Sequence, residues 1–63
     1  MYRNSIYSND TQEIYVTPKG YYVYFNTDGL EEDIFLGKTK LLAIQELSRY
    51  DEFLAQQLEA AEL

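Results

Sequence analysis

Carboxylates and phenols are the side chains with which this chain can do chemistry. It holds 11 Asp and Glu and 7 Tyr, and it has neither Cys nor His. Cysteine nucleophiles, thiolate zinc sites, disulfide staples and imidazole acid–base catalysis are therefore excluded. The adjacent acids Glu31/Glu32 and Asp51/Glu52 could serve as a general acid and base only inside a pocket. A domain of 63 residues buries only about 60% of its unfolded surface, which leaves little interior for one. These acids read as surface charge, and no catalysis is expected.

Two short motifs approach known ligand sites and fail. Gly37-Lys38-Thr39 has the ending of a phosphate-binding loop. Such a loop opens on a glycine, and here that position is Glu32, an anion where phosphate would lie. Asp28-Gly29 has the centre of a calcium loop, which needs oxygen ligands around it. Aligned on Gly29, its first ligand position is Tyr24 and its last is Phe35. No cofactor or metal is expected.

What remains is charge and aromatic surface. The net charge is −6 and the pI is near 4.3. The acids concentrate in Asp28, Glu31, Glu32 and Asp33, and again in Glu46, Asp51 and Glu52 along the C-terminal third. The plain reading is a solvated face that confers solubility. The sharper one is an acidic surface directed at a basic groove, such as the nucleic-acid channel of another protein. Negative charge steers a chain toward basic partners and repels phosphate.

These groups must be positioned by a small sheet and a helix. The first half is rich in Tyr, Ile and Val and alternates, as strands do. Residues 2–7 read as a short strand or an arm, 12–17 and 21–25 as strands. Pro18-Lys19-Gly20 turns the chain, and Asp28-Gly29 is a hairpin signal. Residues 30–36 fit a third main strand, with a short capped helix as the alternative. Thr39 suits the cap of a helix, and after it Ala43, Ile44, Leu47, Tyr50, Leu54, Leu58 and Ala61 recur at helical spacing. One long helix over 39–62 is the simplest reading. Ser48-Arg49-Tyr50-Asp51 could instead bend it and cap a second helix.

Alternation sorts the strand residues onto two faces. Ile14, Val16, Val23, Phe25, Ile34 and Leu36 share an aliphatic face suited to the helix stripe. Tyr15, Tyr22, Tyr24 and Phe35 share the other. One helix covers only one side, so the aromatic side is either a wet sheet face or a contact surface. Tyr is enriched at interfaces because it joins a large area to a polar tip. Leu41, Leu42, Phe53 and Leu63 fall off the main stripe. Leu42 and Phe53 are candidates for self-association into a homodimer, a common remedy for a small core. Alternatively, a bend at Tyr50 returns Phe53 to the domain's own core.

The run Gly20-Tyr21-Tyr22-Val23-Tyr24-Phe25, Asp28-Gly29 and Phe35-Leu36-Gly37-Lys38-Thr39-Lys40 resembles the strand–turn–strand–helix run of AP2-type and integrase arm-binding domains. The resemblance covers residues 12–55. It implies a three-stranded sheet with a helix behind it, the sheet lying in the DNA major groove. The spacing from Leu36-Gly37 to the helix is shorter here. Tyrosines, Glu13 and Asp33 stand on the face where those domains carry basic DNA contacts, so the resemblance implies the fold and not DNA binding.

The expectation is one α+β domain over 1–63: an arm or short strand at 1–10, an antiparallel sheet of three strands, or four with the arm, at 11–37, and the helix. Its expected function is protein binding, as an inhibitor or antagonist of a larger macromolecule. In type it resembles the small acidic proteins that phages deploy against host enzymes and defence systems, some acting as mimics of nucleic acid. The alternatives are a nucleic-acid binder stacking bases on Tyr15, Tyr22 and Tyr24, and a structural homo-oligomer subunit. No apolar run is long enough for a membrane span, and Met1-Tyr2-Arg3-Asn4-Ser5 leads into no signal-peptide core. The expected compartment is a reducing cytoplasm, that of the host if the protein is viral.

Overall fold

A computed structural model describes residues 3–61 of the chain, and expectations resting on Tyr2, Glu62 or Leu63 fall outside them. The element order is β1 (Asn4–Ser8), β2 (Gln12–Thr17), β3 (Gly20–Thr27), β4 (Leu30–Gly37), α1 (Lys40–Leu47) and α2 (Glu52–Ala60). The four strands form one antiparallel sheet in the order β1-β2-β3-β4. The N-terminal segment is thus the fourth strand, and residues 30–36 are strand rather than helix.

Each turn has a local cause. Between β1 and β2, Asn9 Oδ1 accepts from the backbone N–H of Thr11 at 3.0 Å and of Gln12 at 2.9 Å. This Asx geometry folds the chain back. At the β3–β4 turn Asp28 has φ 52° and Gly29 φ 86°. Two positive φ values make a turn whose twist matches the strands it joins. It closes on the Thr27–Leu30 pair.

The register confirms the two faces. Ile14, Val23 and Ile34 lie opposite one another across β2, β3 and β4. With Leu36 they meet Ala43, Leu47, Leu54, Ala55 and Leu58 from the helices in one core. The pairing of β1 shifts between Ser5 and Tyr7. That bulge turns both Ile6 and Tyr7 toward the core.

The helical segment differs from the single helix over 39–62. It breaks after Leu47 and restarts at Glu52. The backbone N–H groups of Tyr50 and Asp51 both reach the Leu47 carbonyl at 2.9 Å, and this closes α1. Asp51 is extended (φ −159°, ψ 107°), and its carboxylate accepts from Phe53 N and Leu54 N. An acid in that role satisfies donors that a helix start leaves unpaired. The Lys40 ammonium at the start of α1 donates to the Ala61 carbonyl at the end of α2. The two helices therefore form a hairpin, which lets Leu47, Leu54 and Leu58 all reach full burial. One straight helix would carry α2 beyond the sheet. Among the described residues no helix is long and apolar enough to cross a membrane.

Candidate functional site

Both helices pack on the aliphatic side, and among the described residues no layer covers the opposite side of the sheet. Strand register arranges that side in rows. Tyr15, Tyr22 and Phe35 form one row across β2, β3 and β4, and Glu13, Tyr24 and Asp33 form the next. Tyr15 and Tyr22 stack at 5.3 Å with their planes 6° apart, and Phe35 meets Tyr22 edge-on at 5.3 Å. Gly20 leaves room for this row, because a Cβ there would stand 2.9 Å from Phe35 Cε1 and 2.6 Å from the Gly37 carbonyl oxygen.

The members of the row differ in what they offer. Tyr15 is only 7% exposed. The Arg3 guanidinium lies 3.6 Å above its ring centre and pairs with Glu13 at 2.7 Å. Its hydroxyl donates to Asp33 Oδ1 at 2.7 Å. Burial, then the bond to Asp33 and its negative charge, push the phenol up to about 12. Tyr24 donates to Glu31 Oε1 at 2.8 Å, and that bond raises its pKa. Tyr22 is half-buried, and Phe35 keeps 48% of its surface exposed. Tyr22, Tyr24 and Phe35 are thus available to a partner, whereas Tyr15 is already engaged.

The acids do not form one band. Residues 30–36 are strand, so neighbours point to opposite sides. Glu31 and Asp33 share the aromatic side, and Glu32 lies on the other. Asp28 sits in the exposed turn at the end of the sheet. Glu46, Asp51 and Glu52 belong to the helical layer. Glu46 is held by Tyr50 Oη at 3.3 Å and Arg49 at 3.5 Å, Asp51 caps α2, and Glu52 occupies its first turn. Leu42 and Phe53 are half-exposed but lie over opposite edges of the sheet. Leu42 Cβ is 2.9 Å from where a Cβ on Gly37 of β4 would stand, and Phe53 meets Tyr7 of β1 edge-on at 6.2 Å.

Sequence reasoning missed the cationic side of this face. Arg3 reaches Tyr15 only because β1 pairs with β2 through a bulge, which no local pattern announces. Lys19 and Lys38 border a shallow groove of about 790 Å³, with Pro18, Tyr22 and Phe35. The hairpin pairing could have found them, since it brings Gly20 beside Gly37. Among the described residues, no group of three or more Asp, Glu, His or Cys could hold a metal ion. No protein-family model, curated protein or solved structure matches this chain, so the likeness to AP2-type and integrase arm-binding domains gains no support from a family match.

Proposed function

We propose that this chain is a small acidic protein-binding module that acts as an inhibitor or antagonist of a larger macromolecule, in the manner of phage proteins directed at host enzymes. The observation that carries the reading is the uncovered sheet face, with Tyr22, Tyr24 and Phe35 accessible and Glu31 and Asp33 beside them. Aromatic anchors ringed by polar groups are the usual energetic centre of a protein interface. Acids at the rim favour a partner with a basic groove and speed its approach. The reading places no catalysis on the chain and puts it in the cytoplasm.

The nucleic-acid alternative is disfavoured by the same face. Glu13, Glu31 and Asp33 would meet phosphates. The test is capture from the native host by the tagged protein, with mass spectrometry of what is retained. A specific partner should be held by the wild type and by Glu52→Gln on the helical side, and lost with the pair Tyr22→Ala and Phe35→Ala. A partner retained equally by all three would place binding elsewhere.

A further inference from the structure

The cations of this acidic chain are distributed in a telling way. It has five Lys and Arg. Arg3 is paired with Glu13, Arg49 with Glu46, and Lys40 with the Ala61 carbonyl. Lys19 and Lys38 remain, both exposed and without a carboxylate within 4.0 Å among the described residues. Both border the groove beside Tyr22 and Phe35. Toward the other end of the same face lies Glu31, opposite Asn26, with Asp28 in the turn beyond it, and Asp33 stands mid-strand opposite Tyr24. From Gly20 to Thr27 along β3, the two ends are about 24 Å apart.

A surface that is basic at one end, aromatic in the middle and acidic at the other is complementary to itself when reversed. We infer that the aromatic face binds a second copy of this chain, about a two-fold axis that lies between the faces and runs across the strands. That rotation reverses the strand direction. It sets Lys19 and Lys38 of each copy over Asp28 and Glu31 of the other, and on either side of the axis Tyr22 comes over Tyr24 of the other copy and Phe35 over its Asp33. Both charge contacts close at once, as an isologous interface requires.

The area agrees with a reversible dimer. The strands, about 4.8 Å apart, span eight residues in β3 and β4 but only five in β1 and six in β2, and present about 380 Å² per copy, so about 750 Å² in all. This is below the size of stable specific interfaces and fits a weak, transient pair, so the dimer should dissociate in the micromolar range or above. The consequence for function rests on the protein-binding reading given above. The dimer closes the face that a foreign partner would use, so the partner must compete with the second copy.

Charge exchange tests the geometry. The variant K19E/K38E places acid against acid at both contacts, and D28K/E31K places base against base. Sedimentation velocity should show a wild-type dimer at tens of micromolar and each variant alone at least about 10-fold weaker, since like charges in register are repelled. An equimolar mixture of the two variants restores both pairings and should sediment as a dimer. Circular dichroism confirms that each variant is folded, and none of the four positions is in the core. A wild type that stays monomeric at these concentrations overturns the inference. So does dimerisation unaffected by both variants, or a mixture that remains monomeric. Loss of a captured partner on Tyr22→Ala with Phe35→Ala, in a protein that never dimerises, would leave the protein-binding reading intact and remove only the second copy.

Discussion

The Tyr15 hydroxyl donates to Asp33 Oδ1 at 2.7 Å although the two residues belong to β2 and β4, with β3 between them. The phenol spans the middle strand and ties its two neighbours together. A tyrosine that reads from sequence as binding surface thereby becomes part of the scaffold, and Arg3 closes over its ring.

Burial of this phenol, and then its bond to Asp33, give the fold an alkaline limit. An unfolded tyrosine ionises near its ordinary value of 10.0, and Tyr15 in the fold at about 12. Below pH 10 both states hold the proton, and the contribution of Tyr15 is complete. Between 10 and 12 only the unfolded state loses it, so stability falls as pH rises and the contribution is gone above the folded pKa. Denaturation followed from pH 9 to about 12 should show that decline. Tyrosinate absorbance should show one phenol titrating last. Asp33→Asn keeps an acceptor but removes the charge, and should lower that last titration toward 10.0. An unchanged titration would mean that burial alone holds it.

Gly20 sets how closely the aromatic row can pack. It has φ +140°, and a Cβ there would stand 2.6 Å from a backbone oxygen. Gly20→Ala should cost roughly 2–4 kcal/mol in urea denaturation, through backbone strain and overpacking together. Gly29 also has positive φ, +86°, but nothing lies within 4 Å of its added Cβ. Gly29→Ala should cost only about 1 kcal/mol. Equal costs would show that the approach of Phe35 and Gly37 to Gly20 is not tight in solution.

Much of this architecture is legible in local pattern. Asp28-Gly29 demands a hairpin, and a hairpin there requires a partner for β3, which only Ile34-Phe35-Leu36 can supply. The faces follow from period-two alternation once residues 30–36 are strand. The same step separates Glu32 from Glu31 and Asp33, so these acids cannot share one surface. Other features were hidden for physical reasons. The β1 bulge depends on pairing with a distant strand, and with it the placement of Arg3 on Tyr15. The helix break was ambiguous because Leu47, Tyr50, Leu54 and Leu58 keep helical spacing through it. Tertiary packing then decided for the capped turn at Asp51.

That cap can be weighed directly. Asp51 supplies the acceptor for two backbone donors of α2. Asp51→Ala should destabilise the protein by about 1 kcal/mol in thermal unfolding, and Asp51→Asn by much less. A loss confined to a later partner-binding assay, with unchanged stability, would mean that Asp51 is an exposed binding acid after all.

The nucleic-acid alternative makes the sharpest demand on the aromatic face. Base stacking needs an open ring and a cationic track for the phosphates. Tyr15 is covered by Arg3 and stacked on Tyr22, and the Tyr24 hydroxyl holds the Glu31 carboxylate, an anion, beside its open ring. Lys19 and Lys38, unpaired among the described residues, lie at one end only, while Asp33 stands mid-strand and Glu31 toward the other end. A single-stranded oligonucleotide titrated into the protein at low salt should therefore leave tyrosine fluorescence unchanged up to about 10⁻⁴ M, the weak limit of non-specific binding. Glu31→Gln with Asp33→Asn removes the repelling charges and leaves the aromatics in place. If repulsion is the only barrier, this double variant should bind with a strong salt dependence where the wild type does not. If the wild type itself quenches at low micromolar oligonucleotide, the face is a base-stacking platform, and the protein-binding reading gives way to it.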